Sequence, residues 1–378
     1  MTIKKKSIFF SVALFILICL CSFLWRKPHQ TRIGIIGDDN FCGERELSWR
    51  IKRAAENLGW ETILDEKRGR NIRKKKGFDW VICTIPQHRR YSRYSHNFLT
   101  LFHPLSVNQS LYEKPNKHSP LLHEKYDGYL LTIDPGKEFK DLKSKNGNFF
   151  SIPFYPTLQY VEYVKVPLNN VMAMIPVWGN RLEDEKFKCL YFLLNEGGFT
   201  KFYGINNHIA ITKENYLGKL PFDGISVVKA LQRHGISLVF HSDIHNREEI
   251  PSSRIFEASA ASTVIICDNN AFVKKHFGAN VFYVDTALSA EEIYLQIKNH
   301  VDAIHREPEK ALEMAKRAHQ IFVDEFLMEA QLQNIMAMHE KISEYEKKEK
   351  QSKFLQPLSA LFKISAKKDV FKAAQSSP

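Results

Sequence analysis

The sequence lacks the motifs that usually mark a redox cofactor, a metal or a nucleic acid. No GxGxxG stands near Gly34 and Gly37 in the first strand-like segment, which counts against a dinucleotide dehydrogenase. The 378 residues contain no DxD-type motif, zinc-finger spacing, RNA-binding signature or helix-turn-helix pattern. We therefore expect neither a metal nor a cofactor, and nucleic acid is a poor candidate partner.

Cysteine is scarce and scattered. The six cysteines form no CxxC pair, and Cys83 and Cys267 stand in apolar, strand-like runs. Buried thiols are therefore expected at these two positions rather than disulfides.

What the chain does have is a globular composition with an excess of positive charge. Hydrophobic residues make up 44% and charged residues 25%, and the length predicts two domains. The formal net charge of +12 is concentrated in RGRNIRKKK, residues 68–76, and in the tail from Lys347 onward. Such clusters are either solvated segments or contacts to an anionic partner or membrane surface.

The N-terminus carries the clearest local signal. Lys4–Lys6 precede Ser7–Trp25, which is uninterrupted by charge, proline or glycine. At about 1.5 Å per residue this run comes to roughly 28 Å, close to the hydrocarbon thickness of a bilayer. A cleaved signal peptide is the alternative, but the run ends in large residues, Phe23 to Trp25, where cleavage needs small ones. We expect a single-pass membrane anchor.

The side of the membrane on which the rest of the chain lies stays open. Lys4–Lys6 favour a cytoplasmic N-terminus, but Arg26, Lys27 and Arg32 nearly balance them on the other side of the apolar run.

After the anchor, strand-like and helix-like segments alternate twice over. The first series begins with the strand at Arg32–Gly37 and the second at Asn169, and the prolines from Pro153 onward mark a crossover. Such alternation predicts an α/β protein with two parallel sheets covered by helices on both faces. We expect the chain to end in helices, the last of them from Glu309 to Lys348.

Several polar residues follow predicted strands directly. In Rossmann-like domains ligands bind outside the carboxyl ends of the strands, so these residues would line a cleft. They are Asp38, Asn40, Asn180, Arg181, His241, Ser242, Asp268 and Asp285.

The stretch from Asn246 to Asn270 places a carboxylate, Glu257, inside a helix pattern of small and apolar residues. Another, Glu249, lies eight positions upstream, before a Pro-Ser-Ser turn. Packing alone favours alanine at position 257, so either this carboxylate reaches solvent at a helix end or something polar lies against the helix.

These residues resemble the donor-binding half of GT-B glycosyltransferases, most of all the CgeB-like bacterial group with its RxFEA segment before a small-residue helix. The resemblance spans roughly Asn169 to Tyr345 and implies two facing Rossmann-like domains behind the transmembrane helix. By the family's Glu-x7-Glu pattern, Glu257 would accept hydrogen bonds from the ribose hydroxyls of a nucleotide sugar. Glu249 would lie near the sugar as a catalytic residue.

The resemblance assigns further donor-binding roles. Arg181 and Lys186 would neutralise the diphosphate and stabilise it as a leaving group, or else they are two surface cations. Ser252, Ser253 and Arg254 open the helix of Glu257, where backbone N–H groups suit a phosphate, with ordinary capping as the alternative.

Three further side chains are less well defined. His241 would position the substrate or else is a satisfied buried histidine. Asp38 is the candidate base of an inverting mechanism, with His96 and His103 as alternatives. Retaining and inverting stereochemistry both remain open.

The implied domains are an anchor with its flank at residues 1–30 and an N-terminal acceptor domain at 31–156. A C-terminal nucleotide-sugar-binding domain with a terminal crossover helix occupies 157–348, and a basic tail 349–378. The leading hypothesis is a membrane-anchored glycosyltransferase of hexosyltransferase type. It would move a sugar from a nucleotide-sugar donor to a glycan or lipid-linked acceptor. The alternatives are a non-catalytic GT-B scaffold that binds glycan or assembles an envelope, and a nucleotide-sugar epimerase.

Overall fold

A computed structural model shows two parallel β-sheets, each flanked by helices. The structure describes residues 30–37, 39, 42–84, 92–101, 126–132, 150–175, 184–204 and 211–374. The prediction of an α/β chain with two parallel sheets is confirmed.

The first sheet is built from six parallel strands in the order β2-β1-β3-β4-β5-β6. Its elements are β1 (Arg32–Ile36), α1 (Cys42–Asn57), β2 (Glu61–Asp65), β3 (Trp80–Cys83), β4 (His96–Leu101), β5 (Gly128–Leu131) and β6 (Ser151–Pro153). Its central strands read as continuous apolar runs because both faces of the sheet are covered. Trp80 and Ile82 pack on the face of α1, whereas Val81 and Cys83 pack on the other.

The second sheet has five parallel strands in the order β11-β10-β9-β7-β8. The strands are β7 (Asn170–Met174), β8 (Thr200–Tyr203), β9 (Gly235–Val239), β10 (Val264–Asp268) and β11 (Phe282–Val284). The helices between and after them are α2 (Glu185–Glu196), α3 (Ser226–His234), α4 (Asp243–Arg247), α5 (Ser253–Ala260), α6 (Ala271–Phe277) and α7 (Ala290–Arg306). Because β7 and β10 both adjoin β9, the loops after these three strands share one edge of the sheet.

The chain ends in two helices, α8 (Pro308–Glu325) and α9 (Met328–Ala374). The sequence predicted one continuous helix here, and that is wrong, because Phe326 ends α8 and is buried in the core of the second sheet. The N–H of Met328 donates to the carbonyl of Leu158 at 2.9 Å, which fixes the direction of α9. Leu332 and Ile335 of α9 then pack into the core of the first sheet.

The two cysteines expected to be buried thiols, Cys83 and Cys267, are both free and buried. Burial raises the pKa of the Cys83 thiol to about 12. The Cys83 thiol therefore stays neutral, as suits a residue in the apolar core.

Across the described ranges, no helix is both long and apolar enough to cross a membrane. The expected anchor, Ser7–Trp25, lies outside the described residues.

Candidate functional site

The helix that carries Glu257 begins with an ordinary cap. The Ser252 hydroxyl accepts the backbone N–H of Arg254 at 3.2 Å, as serine before a helix does. Ile255, Phe256 and Ala258 then pack into the core of the second sheet. Glu257 points elsewhere, into the contact between two parts of the structure: the first sheet with α1, called the first domain below, and the second sheet with its helices, called the second domain.

The polar partner of Glu257 is Arg50 of α1, in the first domain. The Arg50 Nη2 donates to Oε1 of Glu257, and both side chains are buried, at 1% and 7% exposure. Arg50 also donates from Nε and Nη2 to Oε1 of Glu46, at 3.2 and 3.1 Å. Glu46 in turn accepts the backbone N–H of Gly224, in the second domain, at 3.1 Å. A buried ionic cluster therefore joins the domains beside α5.

Burial and charge act in opposite directions within this cluster. Burial raises the pKa of Glu46 even though Arg50 lowers it. Burial alone would lower the pKa of Arg50, but Glu257 and Glu46 outweigh it and raise that pKa. Arg50 is therefore a permanent buried cation whose two carboxylates compete for it.

A second buried network lies at the carboxyl ends of β9 and β10. Asp268 ends β10, and its Oδ1 accepts Nδ1–H of His241 at 2.7 Å while its Oδ2 accepts the backbone N–H of His241 at 2.9 Å. Burial by itself would raise the pKa of Asp268, but hydrogen bonds from His241 and Asn246 outweigh it and lower that pKa. Asp268 thus stays ionised and holds the imidazole in the tautomer that carries a proton on Nδ1.

The other imidazole nitrogen of His241 has no hydrogen-bond partner within the described part of the chain, although the residue is fully buried. Buried polar atoms of proteins nearly always have a partner. Among the described residues, the imidazole of His241 is therefore hydrogen-bonded through Nδ1 but not through Nε2.

Hydrogen bonds from two asparagines, Asn246 and Asn270, stabilise the loop that contains Glu249. Asn246 donates to Asp268 at 2.9 Å, and Asn270 donates to Asn246 at 2.9 Å and to the carbonyl of Ile250 at 3.2 Å. Glu249 itself is exposed and has a φ of 55°, a left-handed conformation that a glutamate adopts only at a cost. The fold thus leaves this carboxylate exposed in the loop that follows β9 and α4.

Lys186 and Arg254 lie at the same edge but are engaged with backbone carbonyls. The Lys186 Nζ donates to the carbonyl of Thr286 at 2.8 Å, and the Arg254 Nη1 donates to the carbonyl of Met174 at 3.3 Å. Ser253 is the first residue of α5 and is half-buried. That these residues contact a phosphate stays a prediction.

Two predicted site residues, Asp38 and Arg181, lie outside the described residues, as does His103. His96 is described and is poorly placed for catalysis, because it begins β4 at the amino edge of the first sheet. There its Nδ1 lies 3.0 Å from Nδ1 of His339 on α9. His96 as the alternative base stays a prediction, and its position is opposite to the carboxyl ends of the strands, where Rossmann-like domains bind ligands.

One group of side chains has the donor atoms to hold a metal ion, among the residues that the structure describes. It consists of His241, Cys267 and Asp268, whose ligand atoms all lie within 4.8 Å of one another. Nδ1 of His241 and Oδ1 of Asp268 already bond to each other, so these atoms serve the fold without an ion.

Glu46 and Arg50 were missed by the sequence analysis. They stand four residues apart on α1 and border its apolar stripe of Leu47, Ile51 and Ala54. An i,i+4 acid–base pair on a helix is usually a solvated pair. The position of this pair beside the apolar stripe is the one feature of the sequence that could have indicated its burial.

The family comparison gives residues 177–337 a match to a family described as glycosyl transferase-like. No curated protein matches the chain.

Solved structures of other proteins are similar to large parts of the chain. An α-glucosyltransferase solved with UDP and a 13-mer DNA containing an HMU base is 10% identical, with 82% of this chain and 99% of that one covered and a TM-score of 0.52. Sucrose-phosphate synthase from Thermosynechococcus elongatus is 11% identical over 82% of this chain and 98% of its own, with a TM-score of 0.48. TarM is 11% identical over 69% of this chain, with a TM-score of 0.42. The chain spans about half of TarM's length, 54%.

The family match and the fold agree with each other. Residues 177–337 match the glycosyl transferase-like family, and this region contains α5 and the loop of Glu249. The α/β architecture with two parallel sheets is GT-B-like.

Proposed function

We propose that this chain is a membrane-anchored glycosyltransferase that transfers a sugar from a nucleotide-sugar donor to a glycan or lipid-linked acceptor. The observation that carries the proposal is the carboxylate of Glu257, set among buried small residues of α5 at the boundary of the two domains. A carboxylate can hold the two neighbouring hydroxyls of a ribose through paired acceptor oxygens.

The remaining donor contacts follow the edge of the second sheet. Glu249 would face the transferred sugar from its strained loop. The start of α5, at Ser252 to Arg254, offers backbone N–H groups and a cation to the diphosphate. Lys186 would exchange the carbonyl of Thr286 for a phosphate oxygen when the donor binds. Cations placed there stabilise the charge that grows on the departing nucleotide, so they act mainly on the transition state.

In this proposal the membrane anchor places the enzyme near its acceptor. The apolar run Ser7–Trp25 would hold the enzyme at a bilayer, where basic residues near an anionic leaflet add about 1 kcal/mol each. Such placement brings the cleft close to an acceptor that is itself in the membrane. Nucleic acid is not proposed as the acceptor, since the chain has no motif for it.

A nucleotide screen tests donor binding. The full-length protein is melted with UDP, GDP, ADP and CMP, with UDP first because the related α-glucosyltransferase was solved with it. We expect one nucleotide to raise the melting temperature, with the rise lost in Glu257→Ala and kept in Glu248→Ala. A flat response to all four nucleotides would contradict the proposal and favour a glycan-binding scaffold.

Charged substitutions within the apolar run test whether it is a membrane anchor. Replacing Leu14 and Leu17 with lysine places two charges mid-run, at roughly 2.5–3.5 kcal/mol each. We expect the protein to leave the carbonate-washed membrane pellet, whereas valine at both positions keeps it there. Lysine variants that remain in the pellet would rule out a spanning anchor.

A further inference from the structure

The buried cluster of Glu46, Arg50 and Glu257, hereafter the interdomain arginine cluster, is more than a packing contact. It places one guanidinium between two carboxylates with almost no solvent access. Removing charges from water costs several kcal/mol per ion, and well-packed apolar residues would often stabilise a fold better. Packing alone therefore does not explain why an ionic cluster is buried here.

The guanidinium reaches three parts of the chain at once. It contacts Glu46 on its own helix, Glu257 on α5, and the carbonyl of Pro156, in the segment between the two sheets, at 3.5 Å. These contacts use the planar fork of arginine, which a lysine ammonium cannot reproduce. Arg50 thus ties the first domain, the crossover segment and the proposed ribose-binding carboxylate together.

The two domains approach too closely beside this cluster to slide freely. Gly224 has a φ of 80°, and a Cβ there would lie 3.2 Å from the backbone of both Trp49 and Arg50. On the next turn of α1, Nε of Arg53 donates to the carbonyl of Asp223 at 2.8 Å. Backbone contact therefore fixes the position of α1 relative to the start of α3, and α3 packs on α5.

Arg50 donates a hydrogen bond to one carboxylate oxygen of Glu257 and not to the other. The hydrogen bond from Arg50 reaches Oε1 of Glu257, and none reaches its Oε2 from the residues that the structure describes. Glu257 and Arg254 also line a small hollow against β7 and β9. Without Arg50, Glu257 would face the like charge of Glu46 across the cluster and turn away from it.

We propose that Arg50 is a positioning residue for donor binding: it holds the Glu257 carboxylate in the orientation that accepts the ribose hydroxyls. The first domain thereby contributes to a contact made on the second, and nucleotide affinity depends on α1 being docked. This inference rests on the proposed ribose role of Glu257.

The test compares two ligands on three proteins. Binding of the nucleotide that stabilises the wild type is measured by calorimetry, together with its 2′,3′-dideoxy form, which lacks the ribose hydroxyls. We expect Arg50→Lys to weaken the ribonucleotide at least tenfold and the dideoxy nucleotide less than twofold. Arg53→Lys, which alters an interdomain arginine that does not touch Glu257, should keep the wild-type preference for the ribonucleotide.

The result that would overturn the ribose role of Glu257 differs from the result that would overturn the role of Arg50. A wild type that binds both forms equally, or binds no nucleotide, overturns the ribose role of Glu257 and the inference with it. A wild type that prefers the ribonucleotide, with an Arg50→Lys variant that keeps the same preference, overturns the role of Arg50 alone. If Arg50→Lys does not fold, Glu46→Gln repeats the test, because it loosens the same guanidinium. Its ribonucleotide preference should fall at least threefold, and an unchanged preference contradicts the inference.

Discussion

Replacing Asp268 with asparagine should destabilise the protein by about 3 kcal/mol. Asp268 is fully buried and accepts three close hydrogen bonds, two from His241 and one from Asn246. A hydrogen bond to a charged group contributes about 1.5–3 kcal/mol against about 0.5–1.5 kcal/mol for a neutral one. Losing the charge therefore costs about 1 kcal/mol for each of the three. Asparagine also turns one acceptor into a donor that faces donors, unless His241 changes tautomer.

The assay is urea unfolding of the full-length protein, followed by circular dichroism at neutral pH. The matched control is Asp285→Asn, since Asp285 also follows a strand but its Oδ1 accepts one exposed backbone N–H, from Ala287 at 2.9 Å. We expect the control to lose less than about 1 kcal/mol. A loss for Asp268→Asn no larger than that of the control would refute the charged network as the support of the Glu249 loop.

Three further changes have definite expected outcomes. Gly235→Ala should prevent folding or lower the unfolding midpoint severely, because φ is 86° and the added Cβ would lie 1.5 Å from the carbonyl of Pro167; a soluble, cooperatively melting variant would contradict this. Leu332→Ala should cost about 2–5 kcal/mol in urea unfolding through the cavity it leaves in the first domain, whereas a loss below 1 kcal/mol would mean that α9 is not docked there. Burial and the neighbouring His96 lower the pKa of His339 from 6.5, so its stabilising effect is full above that pH and is lost as pH falls below it. His339→Gln should flatten the acid side of the stability curve between pH 7 and 5, and an unchanged slope would show that His339 does not titrate on unfolding.

Local pattern was enough to predict both sheets. Runs such as Trp80–Cys83 and Val264–Asp268 are apolar throughout because parallel strands are buried on both faces, and glycines such as Gly235 mark where helices end. The break at Phe326 was not predictable in this way. An apolar residue suits either a helix face or a core, and the difference depends on what the helix packs against.

The site was predicted from sequence in part. The carboxylate of Glu257 stood out because packing favours a small residue there, and the structure supplies its polar partner. That partner, Arg50, is 207 residues away in the sequence, and no periodicity links two helices of different domains. The role of Asp268 was also hidden, since its position after a strand shows where it lies but not that it holds His241 and the Glu249 loop.

The central claim is that this chain removes a sugar from a nucleotide, and turnover tests it most directly. Nucleotide release from UDP-, GDP-, ADP- and CMP-linked sugars is measured with the full-length protein, its Glu249→Gln variant and the neighbouring Glu248→Gln control. We expect release from one donor class, reduced at least a hundredfold in Glu249→Gln and unchanged in Glu248→Gln. Release from none of the donors, or release that Glu249→Gln leaves intact, would contradict the account.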